Sequence, residues 1–301
     1  MHQHGFDGAF AAAEGASLHV RYRFGLAETA TEQHLVAGEL AMGEPEILRP
    51  GAVRSIEAGF VFVHALFHLQ QPTVTVVVGN ESSGLPHSQY AHLGPGSGFD
   101  KLWTDLRVGK RLQALGAIHR IDPEAAGAAT AQLMTAAQPW AAFLALRDTI
   151  ARIGCTDQLT ELTATLRRRV GAAGELLAPA LRAEVGQGNV LALRGLSIQR
   201  HHRTFLALLA NLPDRASVST VLESLYPGCQ PERLVLEWVL QLASSQYRGI
   251  SGLRLTEAQQ AAVQDRLAGD GPLSDTDLRV TLGDVATAWE PPMLLHGLLS
   301  A

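Results

Sequence analysis

Two short histidine groups carry the chemistry that this sequence offers most directly: His2-Gln3-His4 at its start, and His64-Ala-Leu-Phe-His68 further on. On an extended strand alternate side chains share a face, so His2 and His4 point one way. His64 and His68, four residues apart, also share a face. Two such strands folded against each other would bring three or four imidazoles to one point. Neutral imidazole is a ligand for iron, zinc, copper and nickel, so the chemistry expected of such a cluster is that of a bound metal ion.

Other candidates are weaker. Arg200-His201-His202-Arg203 opens an amphipathic helix through Phe205, Leu206, Leu208, Leu209 and Leu212. Adjacent residues on a helix point about 100° apart, so these two histidines do not readily share a metal and are expected on its polar part. No P-loop and no HExxH pair occurs. Gly94-Pro-Gly-Ser-Gly98 lacks the strand and helix that a dinucleotide loop needs. Gly249-Ile-Ser-Gly252 has Leu253 where a nucleophile elbow needs its second glycine. Ser82 and Ser83, in Asn80-Glu-Ser-Ser-Gly84, are expected in a hairpin turn.

The elements that must position the histidines are strands. In Ser17–Phe24 the apolar residues Leu18, Val20, Tyr22 and Phe24 alternate with His19, Arg21 and Arg23, which marks a half-buried strand. Phe60 to Leu69 and Thr73 to Val78 are continuous apolar runs, expected to be strands buried on both faces. Gly38, Gly43, Pro45, Pro50, Gly51 and Gly59 punctuate the region between them, which suits an antiparallel barrel or sandwich. Residues 81–99 look like a linker. From Asp100 onward the apolar period becomes helical, with starts at Asp100, Asp122-Pro123, Pro139, Thr156 or Asp157, Asp214, Pro231 and Thr256-Glu257, and a stop at Gly116. The expected fold is therefore α+β: a β domain over 1–80, a linker over 81–99 and a helical domain over 100–301.

A chain of 301 residues holds one large domain or two ordinary ones. Its net charge of −5, with both signs spread along the chain, argues against a generally basic nucleic-acid binder. Arg167-Arg168-Arg169 is expected on a solvated helix face. No run of about 18 apolar residues predicts a membrane helix, and no secretory leader is apparent. Cys155 and Cys229 form no CxxC pair and fit a reducing, cytoplasmic setting.

The N-terminal quarter resembles the cupin superfamily. His2-Gln3-His4 with Gly15 matches its first motif, although Gly8 occupies the glutamate slot. Gly51 and Gly59 match the glycines of its second motif, with Glu57 in the proline slot, the histidine two residues late at His64, and His68 in the asparagine slot. The resemblance implies a metal site on His2, His4 and His64, similar to the three-histidine iron site of thiol-dioxygenase cupins. It implies Fe2+, a small-molecule substrate and dioxygen, with His68 as a base, an outer donor or a fourth ligand. A cupin barrel has strands before its first motif, so the chain is expected to lack them or to borrow them, and an open edge there predicts a homodimer through the β part. Two other functions stay open: a metal-free small-molecule-binding regulator, and a helical scaffold with an accessory β segment.

Overall fold

The structure is a computed structural model and describes residues 1–27, 34–80, 89–94, 96–102, 105–153, 157–170, 172–243 and 257–269. An antiparallel β-barrel or sandwich precedes a helical layer, as the change of period near residue 100 predicts. The strands are β1 (His2–Gln3), β2 (Gly8–Glu14), β3 (Ser17–Leu26), β4 (Leu35–Met42), β5 (Glu46–Leu48), β6 (Val53–Ile56), β7 (Val63–His68), β8 (Val74–Gly79), β9 (Tyr90–Leu93) and β10 (Ser97–Asp100).

Six strands close on themselves in the order β3-β7-β1-β9-β10-β4 and back to β3, every pairing antiparallel. β3 is long enough to serve both closure and branching. Its Tyr22–Leu26 half pairs with β4, while Ser17–His19 pairs with β5 on the same edge. Phe24 of β3 and His92 of β9 come from opposite sides of the ring, yet their rings are 4.7 Å apart, which identifies the barrel interior. Gln3, Phe60 and Tyr90 join them there, and His92 Nε2 donates to Gln3 Oε1 at 2.9 Å. A second sheet, β6-β2-β8, lies against the outside of β3 and β7 over a small core of Phe10, Ala12, Leu48, Ile56 and Phe62.

Five expectations are corrected. Residues 90–93 and 97–99, expected to be linker, belong to the two strands, β9 and β10, that complete the ring. Their glycines suggested a loop, but Gly98 is there because His92 passes so close. A Cβ at Gly98 would sit 2.9 Å from His92 Nδ1. Asp100 therefore ends β10, and the first helix is capped by Asp105, whose Oδ1 accepts from the Arg107 and Val108 amides. Gly116 does not stop that helix. It is buried mid-helix, where a Cβ would meet the Arg152 guanidinium. Lastly, β8 is not buried on two faces: Val76, Val77 and Val78 are exposed, because β8 pairs with β2 on one side and ends its sheet. The open edge expected at the first motif is absent too, since β1 is flanked by β7 and β9. Among the described residues the sheet margins fall instead at β5, β6 and β8.

The helices described are α1 (Leu106–Ile121), α2 (Pro123–Ala136), α3 (Pro139–Ile153), α4 (Asp157–Val170), α5 (Ala172–Leu196), α6 (Arg200–Asn211), α7 (Arg215–Leu225), α8 (Pro231–Leu242) and α9 (Glu257–Ala268). Asp122 caps α2 with Pro123 at its first position, and Asp214 caps α7, both as expected. Thr156, Thr256, Cys155, Trp103, the Gly249–Gly252 segment and Ser82-Ser83 lie outside the described residues. The helices share two cores with the barrel. Leu35, Ala37 and Phe99 pack with α1–α5, and Val20, Phe24 and Val63 belong to the core that runs on into α5–α8. Among the described residues no helix is long and apolar enough to cross a membrane.

Candidate metal centre

β1 is two residues long, yet its neighbours hold it on both sides. His2 lies opposite His64 of β7 and opposite Ala91 of β9. The His92 amide donates to the Met1 carbonyl at 3.0 Å, and the Gly59 amide to the His4 carbonyl at 2.9 Å. Gly51 and Gly59, the glycines of the second motif, and Gly15 of the first all take left-handed turns with φ of 92°, 86° and 79°. The turn at Gly59 thus delivers Phe62 and β7 to the face of His2 and His4.

The structure brings His2, His4 and His64 together. His4 Nε2 is 2.9 Å and His2 Nε2 3.2 Å from His64 Nε2, and all three nitrogens lie within 4.8 Å of one another. An ion about 2.0–2.1 Å from each nitrogen sets neighbouring ligands roughly 3.0–3.4 Å apart, so the spacing suits a metal after small adjustment. The cluster lies outside the ring, between the barrel wall and the second sheet. Gln3 and Val63 point into the barrel, so their neighbours His2 and His64 point out of it. His64 is 3 % exposed, between Phe62 and Phe10, with Leu66 on the same face of β7. His4 packs on Phe6, and its Nδ1 is buried without a hydrogen-bond partner among the described residues.

Burial keeps these imidazoles neutral. It is the main cause that pushes His64 down to about 2, reinforced by the neighbouring His2, His19 and His4. His2 falls to about 4 through burial, then His4 and the Lys101 ammonium. His4 is lowered by burial and then by Lys101. Neutral rings are the ligating form.

His68 does not join them. Its Nδ1 is 2.9 Å from Ser17 Oγ, and its ring is exposed. Sharing a face with His64 put it only on the same side. Four residues along a strand is about 13 Å, too far for one centre.

Three residues beside the site were not anticipated. His19, fully buried, places Nε2 3.2 Å from His64 Nδ1 and Nδ1 2.8 Å from Glu46 Oε1. Arg54 grips the same carboxylate through Nε and Nη2. Glu46 thus supplies a carboxylate near the site, although through an imidazole and not as a ligand. The signal lay in the strand alternation, which set His19 on the face opposite Leu18 and Val20. That face carries the second sheet instead of solvent.

His201 and His202 form a different structure. Both donate Nε2–H to Gln241 Oε1 of α8, at 3.1 and 2.8 Å, and His201 stacks on Trp238. They join two helices. A cleft of about 590 Å³ between the start of α1 and the start of α3 is lined by His34, Arg107, Arg111 and Trp140 and by none of the clustered histidines.

Comparison with protein-family models, with curated proteins and with solved structures brings no match.

Proposed function

We propose that the protein is a metal-dependent enzyme of cupin type, holding one divalent ion, Fe2+ in this reading, on His2, His4 and His64 and oxidising a small molecule with dioxygen. The observation that carries the reading is the approach of three Nε2 atoms to one another within a partly buried, apolar setting. Three neutral donors fit a borderline metal, and such an ion supplies Lewis acidity and, as iron, access to dioxygen, with coordination positions left for substrate. The cupin assignment rests on the motif glycines in their left-handed turns and on the antiparallel barrel, which is compatible with a jelly roll. The protein's own contribution is to hold the rings neutral by burial. Phe6, Phe10 and Phe62 exclude water from one side, and His64 is anchored from behind through His19.

Elemental analysis of untagged protein tests this. About one iron, or another first-row metal, per chain is expected, with His64→Ala empty. Wild-type protein that neither carries a metal nor takes up Fe2+, Co2+ or Zn2+ overturns it.

The second reading, a metal-free binder of a small molecule, has one observation in its favour. The cleft beside Arg107 and Arg111 offers two guanidinium groups and an indole to a planar anion. Arg107→Ala/Arg111→Ala protein that loses a bound organic acid, with metal-free wild type, favours it.

A further inference from the structure

We infer that His19 and Glu46 are positioning residues that dictate which nitrogen of His64 keeps its lone pair, and so aim that lone pair at His2 and His4. The inference deepens the metal reading, but its tautomer stands or falls without a metal.

The argument starts from the charged end. The Glu46 carboxylate takes two hydrogen bonds from Arg54 and sits where it can only accept. Its partner His19 Nδ1, 2.8 Å away, must therefore carry a proton. His19 is fully buried, and the Glu46 charge beside it is already matched by Arg54, so the ring is neutral and its Nε2 has only a lone pair. That lone pair faces His64 Nδ1 at 3.2 Å, which must then be the N–H. A neutral His64 protonated at Nδ1 has its lone pair on Nε2, the atom facing His2 and His4. One ionised group at the margin of the sheet thus fixes a tautomer two imidazoles away.

The relay is built from four strands. Glu46 of β5 lies directly opposite His19 of β3, and His64 of β7 lies on β3's other edge. Arg54 comes from β6 in the second sheet, so the relay also ties that sheet to the barrel. Ligating histidines are commonly oriented by an acceptor on their other ring nitrogen, and losing that acceptor weakens metal binding by about 10–100-fold.

Two measurements on the full chain test this. Long-range proton–nitrogen NMR of metal-free wild type is expected to show His64 protonated at Nδ1. An Nε2-protonated His64 overturns the inference. Co2+ titration followed by visible absorption is expected to show Glu46→Gln binding about 10–100-fold more weakly than wild type, with mixed His64 tautomers. A Glu46→Gln protein with wild-type affinity and a single Nδ1-protonated His64 overturns it too. Should wild type bind no Co2+, the metal reading fails, while the wild-type tautomer still decides the relay. That readout needs no variant, so a Glu46→Gln chain that does not fold leaves the test intact.

Discussion

His2 faces His64 across an antiparallel pair in which β1 contributes only two residues, and the nitrogens of the two rings are 3.2 Å apart. The contact is made by register, because cross-strand partners share a face and nearly touch. Removing either ring should empty the centre. His64→Ala and His2→Ala are expected to lose metal by elemental analysis, while His68→Ala, whose ring rests on Ser17, keeps the wild-type content. A His201→Ala/His202→Ala protein should also keep it. Loss of metal from His68→Ala, with the fold intact by circular dichroism, would contradict this placement.

Acid should destabilise the fold earlier than carboxylate titration alone would. His92 is 1 % exposed inside the barrel and is pushed down to about 3, chiefly by burial. Between its unfolded value of about 6.5 and that folded value, the unfolded chain binds the proton and the folded one does not. Stability is thus complete above about pH 6.5 and falls by about 1.4 kcal/mol per pH unit for this one group as pH drops through the window. Urea melts at pH 7 and pH 5 check it. His92→Phe should melt with a shallower pH dependence, and equal slopes for the two proteins would dismiss the effect.

Gly98→Ala should cost about 1–3 kcal/mol, because the added methyl meets the His92 ring and Val36 Cγ2 at 2.9 Å each in a packed interior. Gly109→Ala is the control, since no described residue lies within 4 Å of its Cβ position. Thermal melts that lower both variants equally would show that barrel packing at Gly98 is looser than described.

If two copies join through the β part, the joint is expected at β8, not at β1. β1 has strands on both sides, whereas among the described residues β8 ends its sheet with Val76, Val77 and Val78 exposed, and it has no charge between Thr73 and Asn80. Two such edges can meet antiparallel without opposing like charges. Light scattering should give a dimer mass at micromolar concentration and a monomer for Val76→Lys. A monomer for wild type, or a dimer unaffected by the substitution, would reject the edge.

Much of this was legible where one physical signal dominated. The alternation of Leu18, Val20, Tyr22 and Phe24 predicted β3, and Asp122-Pro123 and Asp214 predicted two helix starts. His2, His4 and His64 came from strand parity and from the resemblance. What parity could not supply was distance along the strand, which separates His68 from His64, or the occupant of a polar face, which hid His19. Glycine was the most ambiguous residue. Gly96 and Gly98 read as loop, yet they sit where backbones and a histidine ring pass too closely for any side chain. The apolar run in β8 read as buried because hydrophobicity records composition, while burial depends on what the chain later lays on top.

The closure of the ring through β9 also sets a timetable. His2 is pinned between residues 64 and 91, so no nascent chain can assemble the three-imidazole cluster in its final walls until residue 91 has left the ribosome. His2 and His4 are made well before the strands that hold them, and a metal ion arriving during synthesis would meet separate histidines, not a site.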